Sequence, residues 1–185
     1  MKLNLYRVND KYCDYLRTFD KKVPFLMDEK QRRPFVGVVF SVNKHHFFAP
    51  LTSPKAKHLS MKNQVDFLKI DNGQLGAINF NNMIPVLKSM CSKIEINDMP
   101  AITKDQQNYK ELIRNQLDWC NKNHEQIYKK AQKLYQLITT EHAPEALQIR
   151  CCNFSLLENK YYLYPQYLIQ KQNQLLTEYE DDLER

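Results

Sequence analysis

The densest set of groups able to act on a phosphate lies in one stretch, FFAPLTSPKAKH (47–58). An apolar run ends there, and Thr52, Ser53, Lys55, Lys57 and His58 follow at once, with Pro50 and Pro54 each fixing a backbone φ angle. Hydroxyls donate hydrogen bonds to phosphate oxygens and ammonium groups supply charge. Side chains of these types leaving a rigid strand end together therefore make a phosphate site. A solvated Ser-Pro turn flanked by lysines has the same composition, and residue types alone leave both readings open.

Other reactive residues are less well placed. His45 and His46 are adjacent, and on a strand they point to opposite faces, so at most one can line a site. His58 directly follows the key lysines and is the strongest histidine, whereas His124 and His142 sit at no useful spacing from another ligand. The five cysteines, Cys13, Cys91, Cys120, Cys151 and Cys152, contain no C-x-x-C pair, and an odd count reads as reduced thiols in a cytosolic protein. Metal ligation needs a cluster of His, Cys and carboxylate, and none is present, so neither a metal nor another cofactor is expected. With three glycines in 185 residues, no dinucleotide fingerprint, phosphate-binding P-loop or nucleophile elbow occurs.

Charge points to the class of partner. Lys and Arg number 27 against 21 acids, and residues 1–170 carry 25 basic against 16 acidic side chains, a net of +9. Such a body favours polyanions. No stretch is long and apolar enough to span a membrane, and the N-terminus lacks the apolar core of a signal peptide. A cytoplasmic location and no membrane partner are the expectation.

The elements that must position these residues read as follows. LNLYRV (3–8) alternates as a strand does, and Asn9 or Asp10 caps a short helix through KYCDYLRTF. Residues 20–34 form a long basic loop bounded by Pro24 and Pro34, carrying Lys21, Lys22, Arg32 and Arg33. PFVGVVFSV (34–42) and HHFFAPL (45–51) form a hairpin turning at Asn43-Lys44. VDFLKI (65–70) and QLGAINFNNMIPV (74–86) form another across Asp71-Asn72-Gly73. SKIEIN (92–97) reads as a further strand with Ile94 and Ile96 on one face. From Thr103, a helix N-cap, apolar residues step by three and four through Leu112, Ile113, Leu117, Cys120, Ile127, Ala131, Leu134 and Ile138, with a break near Asn121–Asn123. Lys129, Lys130 and Lys133 cluster on the outer face of that helix. Pro144 opens one more helix, PEALQIRCCNFSLLENKYY. The expected class is α+β, a curved antiparallel sheet or barrel over residues 1–97 followed by a mainly helical part over 98–185. Within it, KYYLYPQY (160–167) is an aromatic run able to stack on unpaired bases or to fill core.

In order, FDKKVP (19–24), PFVGVVFSV, FFAPLTSPKAKH and INFNNMIPV (78–86) resemble the ToxN/AbiQ family, the endoribonuclease toxins of type III toxin–antitoxin systems; the likeness spans roughly residues 3–140. The resemblance implies a barrel-like core similar to the Kid/MazF toxins, elaborated by long C-terminal helices, in a single toxin domain over 1–185. It implies metal-independent RNA cleavage by the RNA's own 2′-hydroxyl, leaving a 2′,3′-cyclic phosphate, and a role in phage defence. It also implies inhibition by a repeated pseudoknot antitoxin RNA held in a closed protein–RNA ring. Family active-site positions carry over to Thr52, Ser53 and Lys55, and a basic position before the strand at 34–42 carries over to Arg33, with Arg32 beside it. RNA contacts are further expected from Lys21, Lys22, Lys57, His58, Lys129, Lys130 and Lys133. An aromatic RNA contact found upstream of Arg33 in some members has no match, since Asp28, Glu29 and Lys30 fill that stretch.

In-line attack by a 2′-hydroxyl requires charge relief on the phosphorane oxygens, removal of one proton and delivery of another. Lysine and hydroxyls suit those tasks jointly, and the sequence does not divide acid from base among Thr52, Ser53, Lys55 and His58. Two rivals make different predictions. A non-catalytic basic RNA-binding module grips RNA and leaves it intact, and an interaction protein docking through its long helix shows no salt-dependent RNA affinity.

Overall fold

The computed structural model describes residues 2–26, 33–140 and 143–183, with side chains up to residue 174. Arg32 and His142 lie outside the described residues. Among them, helices alternate little with strands: all strands fall before Ile94 and all long helices after Ile102.

β1 (Asn4–Val8) leads into α1 (Asp10–Phe19), which the Asn9 side chain caps by accepting from the Tyr12 amide. β2 (Phe35–Val42) and β3 (His45–Thr52) form the central hairpin, turning through Asn43 at φ 52°. The register shifts between Val36 and Phe40, which bends the pair. α2 (Ala56–Ser60) follows the T-S-P-K segment. β4 (Phe67–Lys69) and β5 (Ala77–Asn79) pair across residues 70–76, and β6 (Ile84–Pro85) pairs with β3. β7 (Cys91–Lys93) closes the order β4-β5-β3-β2-β1-β7, all antiparallel.

The mixed α/antiparallel-β class agrees with the sequence reading, but the sheet does not close into a barrel. Its end strands, β4 and β7, are three residues each and do not pair with one another. β7 also starts one residue earlier than SKIEIN and ends at Lys93. The Ile94 amide still donates to the Leu5 carbonyl at 2.8 Å, and residues 96–98 then coil into a 3-10 turn that carries the chain off the sheet edge.

α3 (Lys104–Lys122) begins with a reciprocal capping box between Thr103 and Gln106, and Asn123 separates it from α4 (His124–Thr139). α4 lies on β2, burying Ile127, Ala131 and Leu134. The segment after Pro144 departs from the single helix expected. It divides into α5 (Glu145–Arg150) and α6 (Phe154–Lys160), because the Cys152 amide donates to the Asn81 carbonyl (2.8 Å) and the Asn153 amide to Asp20 Oδ2 (2.7 Å). Arg150 then grips buried Asp66 at 2.6 and 3.1 Å, tying α5 to the β4 region. α7 (Tyr164–Leu183) ends the chain. The aromatic run serves the core in part: Tyr161 and Tyr164 are buried and the Tyr161 hydroxyl meets His45 Nδ1 at 3.1 Å, while Tyr162 is exposed. One apolar cluster runs from Leu3 through the sheet to Tyr164. Each fully buried Leu or Phe in it contributes roughly 1.5–3 kcal/mol relative to exposure.

Candidate active-site cleft and basic groove

β3 delivers its last residues into a cleft of about 340 Å³. Leu51, Thr52, Ser53 and Lys55 line it, and Arg33 joins them from the segment just before β2. They meet because β2 and β3 are antiparallel, so the start of one lies beside the end of the other. Phe35 pairs with Pro50, and the Leu51 amide donates to the Pro34 carbonyl at 2.9 Å. Ser53 and Lys55 are exposed and Thr52 is half-buried, its hydroxyl donating weakly to the Ala77 carbonyl at 3.4 Å. Partial burial pulls the Arg33 guanidinium below its usual range. Among the described residues the cleft is lined by two cations, Arg33 and Lys55, and three hydroxyls, of Thr52, Ser53 and Tyr109, with no carboxylate and no histidine.

Behind this wall the backbone is packed too tightly for side chains. Gly76 sits at φ +94°, and a Cβ there would lie 2.0 Å from the Thr52 carbonyl oxygen. Gly73, at φ +97°, would place one 2.6 Å from the His58 carbonyl oxygen. Two of the three glycines thus let residues 70–76 press against Thr52 at the start of the T-S-P-K segment and against His58 just beyond it. Gln116 of α3, 1% exposed, adds a clamp: its Nε2 donates to the Thr52 carbonyl (3.3 Å) and the Leu75 carbonyl (2.7 Å).

The remaining expected contacts separate in space. Lys57 is exposed on α2, outside the cleft lining. His58 is 2% exposed, packed near the Phe67 ring, and its Nδ1 has no partner; its burial is a departure from a surface contact. Burial, then the charges of Lys57 and Lys55, hold its pKa below the ordinary imidazole value. Lys22 stands 4.0 Å from Asp20 and Lys21 is exposed beside it, both away from the cleft lining. Lys129, Lys130 and Lys133 line an open groove of about 670 Å³ together with Lys122 and His124. Lys130 is half-buried, its ammonium bonded to the Gln64 carbonyl, and burial lowers its pKa while Asp66 opposes that shift. His124 Nδ1 donates to the Asn121 carbonyl at 3.0 Å, which fixes its ring. No His/Cys/Asp/Glu group of metal-binding size occurs among the described residues. All five cysteines are free thiols, four of them buried, and burial pushes Cys120 and Cys151 up to about 12. No helix among the described residues is long and apolar enough to cross a membrane.

Sequence reasoning missed Tyr109 and Gln116, which also line the cleft. The available signal was their spacing, three residues before Leu112 and three after Ile113 on one stripe of α3.

The architecture defines a protein whose cationic, hydroxyl-bearing cleft is built at the end of an antiparallel sheet and walled by a helix. Residues 4–162 match the family described as toxin ToxN, type III toxin–antitoxin system, and the chain belongs to that family. It is 34% identical to the endoribonuclease ToxN of Bacillus thuringiensis subsp. kurstaki over 84% of this chain and 80% of that protein. It is likewise 34% identical to the endoribonuclease ToxN of Pectobacterium atrosepticum, over 86% and 92%. Two solved structures share the fold. One comes from work on selective toxin inhibition by a non-coding RNA pseudoknot (TM-score 0.75, 31% identity, 89% of this chain and 99% of that one). The other is AbiQ, a lactococcal anti-phage endoribonuclease of the type III system (TM-score 0.73, 26% identity, 90% and 99%).

Proposed function

We propose that this chain is a metal-independent endoribonuclease toxin that cuts RNA through the RNA's own 2′-hydroxyl. The observation that carries the reading is the meeting of Arg33 with Thr52, Ser53 and Lys55 in one cleft. The 2′-oxygen bonds to phosphorus as it loses its proton, and the bond from phosphorus to the 5′-oxygen breaks as that oxygen takes a proton up. The products are a 2′,3′-cyclic phosphate and a 5′-hydroxyl. Arg33 and Lys55 neutralise charge developing on the equatorial oxygens, the largest single contribution available to such a site. The Thr52 and Ser53 hydroxyls orient the phosphate and take part in proton relay. His58, buried under the segment, supports the backbone that presents Ser53 and Lys55.

The lysine groove on α4 is assigned to RNA backbone contact. Lys57 on α2 and the basic residues Lys21, Lys22 and Arg32 are assigned to RNA contact as well. The occupant proposed is a repeated pseudoknot antitoxin RNA that holds the toxin in a closed protein–RNA ring in the cytoplasm and releases it during phage infection. The continuous apolar cluster supports reading residues 1–185 as one toxin domain, and the antiparallel core supports kinship with the Kid/MazF toxins.

The test is cleavage of a labelled RNA with chelator present, with analysis of the product ends. Wild-type protein should yield cyclic phosphate ends, and purified, folded Ser53→Ala or Lys55→Ala should lose about 10²–10³ in rate, as removal of a positioned donor does. Tight binding that leaves the RNA intact would instead establish a non-catalytic RNA-binding module.

A further inference from the structure

The cleft has a second wall of quite different chemistry. Beside the cations and hydroxyls of β3, α3 lines the same cleft with Tyr109, Leu112, Ile113 and Gln116. The spacing i, i+3, i+4, i+7 places them on one stripe of the helix. Tyr109 and Leu112 are half-buried, and Ile113 is fully buried. Gln116 is held rigidly, because its Nε2 is spent on the carbonyls of Thr52 and Leu75. That fixes its amide orientation and leaves Oε1 as a buried acceptor with no donor. An unpaired buried amide oxygen is costly and calls for a partner.

A phosphodiester carries a flat, largely apolar base on each side, edged with N–H donors. From this we infer that the α3 stripe is a nucleobase subsite: the base flanking the scissile phosphate packs on Tyr109 and Leu112, which Ile113 backs from the core, and donates an N–H to Gln116 Oε1. The inference rests on the ribonuclease reading above and adds the source of its sequence selectivity. The two walls then divide the work. The β3 wall acts on the phosphate whatever the sequence, and the α3 wall reads which base adjoins it. Gln116 touches both, since the amide that accepts from the base also anchors Thr52.

The experiment measures kcat/KM on a single-site RNA and on copies with an abasic residue, or each other base, beside the cut. Wild-type protein, Tyr109→Ala, Tyr109→Phe and Gln116→Met are compared, with melting temperature as the folding control. Tyr109→Ala should weaken KM for the intact substrate by about tenfold, the scale of one lost base stack, and leave the abasic substrate nearly unaffected. Tyr109→Phe should retain wild-type discrimination. Gln116→Met should flatten the ratio between preferred and other bases by roughly tenfold, beyond any uniform loss from loosening Thr52. A purely structural role lowers every substrate alike, so an unchanged ratio in both variants overturns the subsite while cleavage itself stands. Should Tyr109→Ala fail to fold, Tyr109→Leu keeps the bulk without the aromatic face, and full retention of base discrimination there overturns stacking. If wild-type protein cuts none of these RNAs, the ribonuclease reading falls and takes the subsite with it.

Discussion

His58 shows how a polar residue beside a reactive segment can serve position instead of contact. Its ring is buried without a partner at Nδ1, and burial together with Lys57 and Lys55 lowers its pKa, favouring the neutral form. The unfolded chain binds a proton there near the ordinary value of 6.5, while the folded chain resists until the pH is lower. Between those two values the unfolded state holds more protons, so stability rises with pH across that window. The contribution is fully present above about pH 6.5 and is lost as the pH falls below it. Urea midpoints measured from pH 5 to 8 should therefore fall on the acid side, and the fall should be shallower in His58→Gln. An identical slope in both proteins would place the titrating group elsewhere. That Thr52, Ser53 and Lys55 lie together was legible in the sequence because they fall within four residues. The burial of His58 was not, since it depends on Phe67 and on a glycine turn fifteen residues away.

Local chemistry set some elements and distant contacts set others. The caps at Asn9 and Thr103 and the break at Asn123 involve neighbours in sequence, and all could be read from it. The break between α5 and α6 could not, because bonds from Asn81 and Asp20 impose it. The α3 stripe was visible as an apolar face, but nothing in its periodicity told that part of it would wall a cleft. The segment 70–76 illustrates a mixed case. Asn72-Gly73 signalled a reversal, and the observed connection is longer than a tight hairpin, with positive φ at Asp71, Asn72, Gly73 and Gly76. Its cost for substitution is predictable. Gly76→Ala must adopt a strained φ and move the Thr52 carbonyl, so it should destabilise the protein by about 1–3 kcal/mol. It should also slow RNA cleavage at temperatures where the variant remains folded. Thermal melts and single-turnover rates read the two effects separately, and wild-type values in both would show that the turn yields freely.

Viewed whole, the molecule separates the proposed cutting cleft from a lysine groove that shares no residue with it. The net of +9 over residues 1–170 predicts RNA affinity that falls steeply with salt through counterion release. Charge reversal at Lys129 and Lys133 should weaken binding and reduce the log–log salt slope by about 0.7–0.9 per lost phosphate contact. Lys130, already committed to the Gln64 carbonyl, should contribute less than its two neighbours. Filter binding across a salt series checks this, and a flat dependence in wild-type protein would remove the polyanion reading. The failure of the sheet to close was not legible, because closure depends on the pairing of β4 with β7, and neither short strand announces its partner.

The clamp of α3 on β3 also bears on how such a chain is made. A ribosome produces the T-S-P-K segment early, yet Gln116 and the wall around it come about sixty residues later. β1, first to emerge, waits for β7 on one edge, and the Leu3 amide waits for Asn121 Oδ1 at 2.9 Å. At about 5–20 residues per second, roughly 3–12 s of synthesis separate the cations from their wall. A nascent chain therefore carries Arg33, Thr52, Ser53 and Lys55 while lacking the helix that walls their cleft. On the ribonuclease reading, the messenger being translated would meet these residues before the frame that aims them exists.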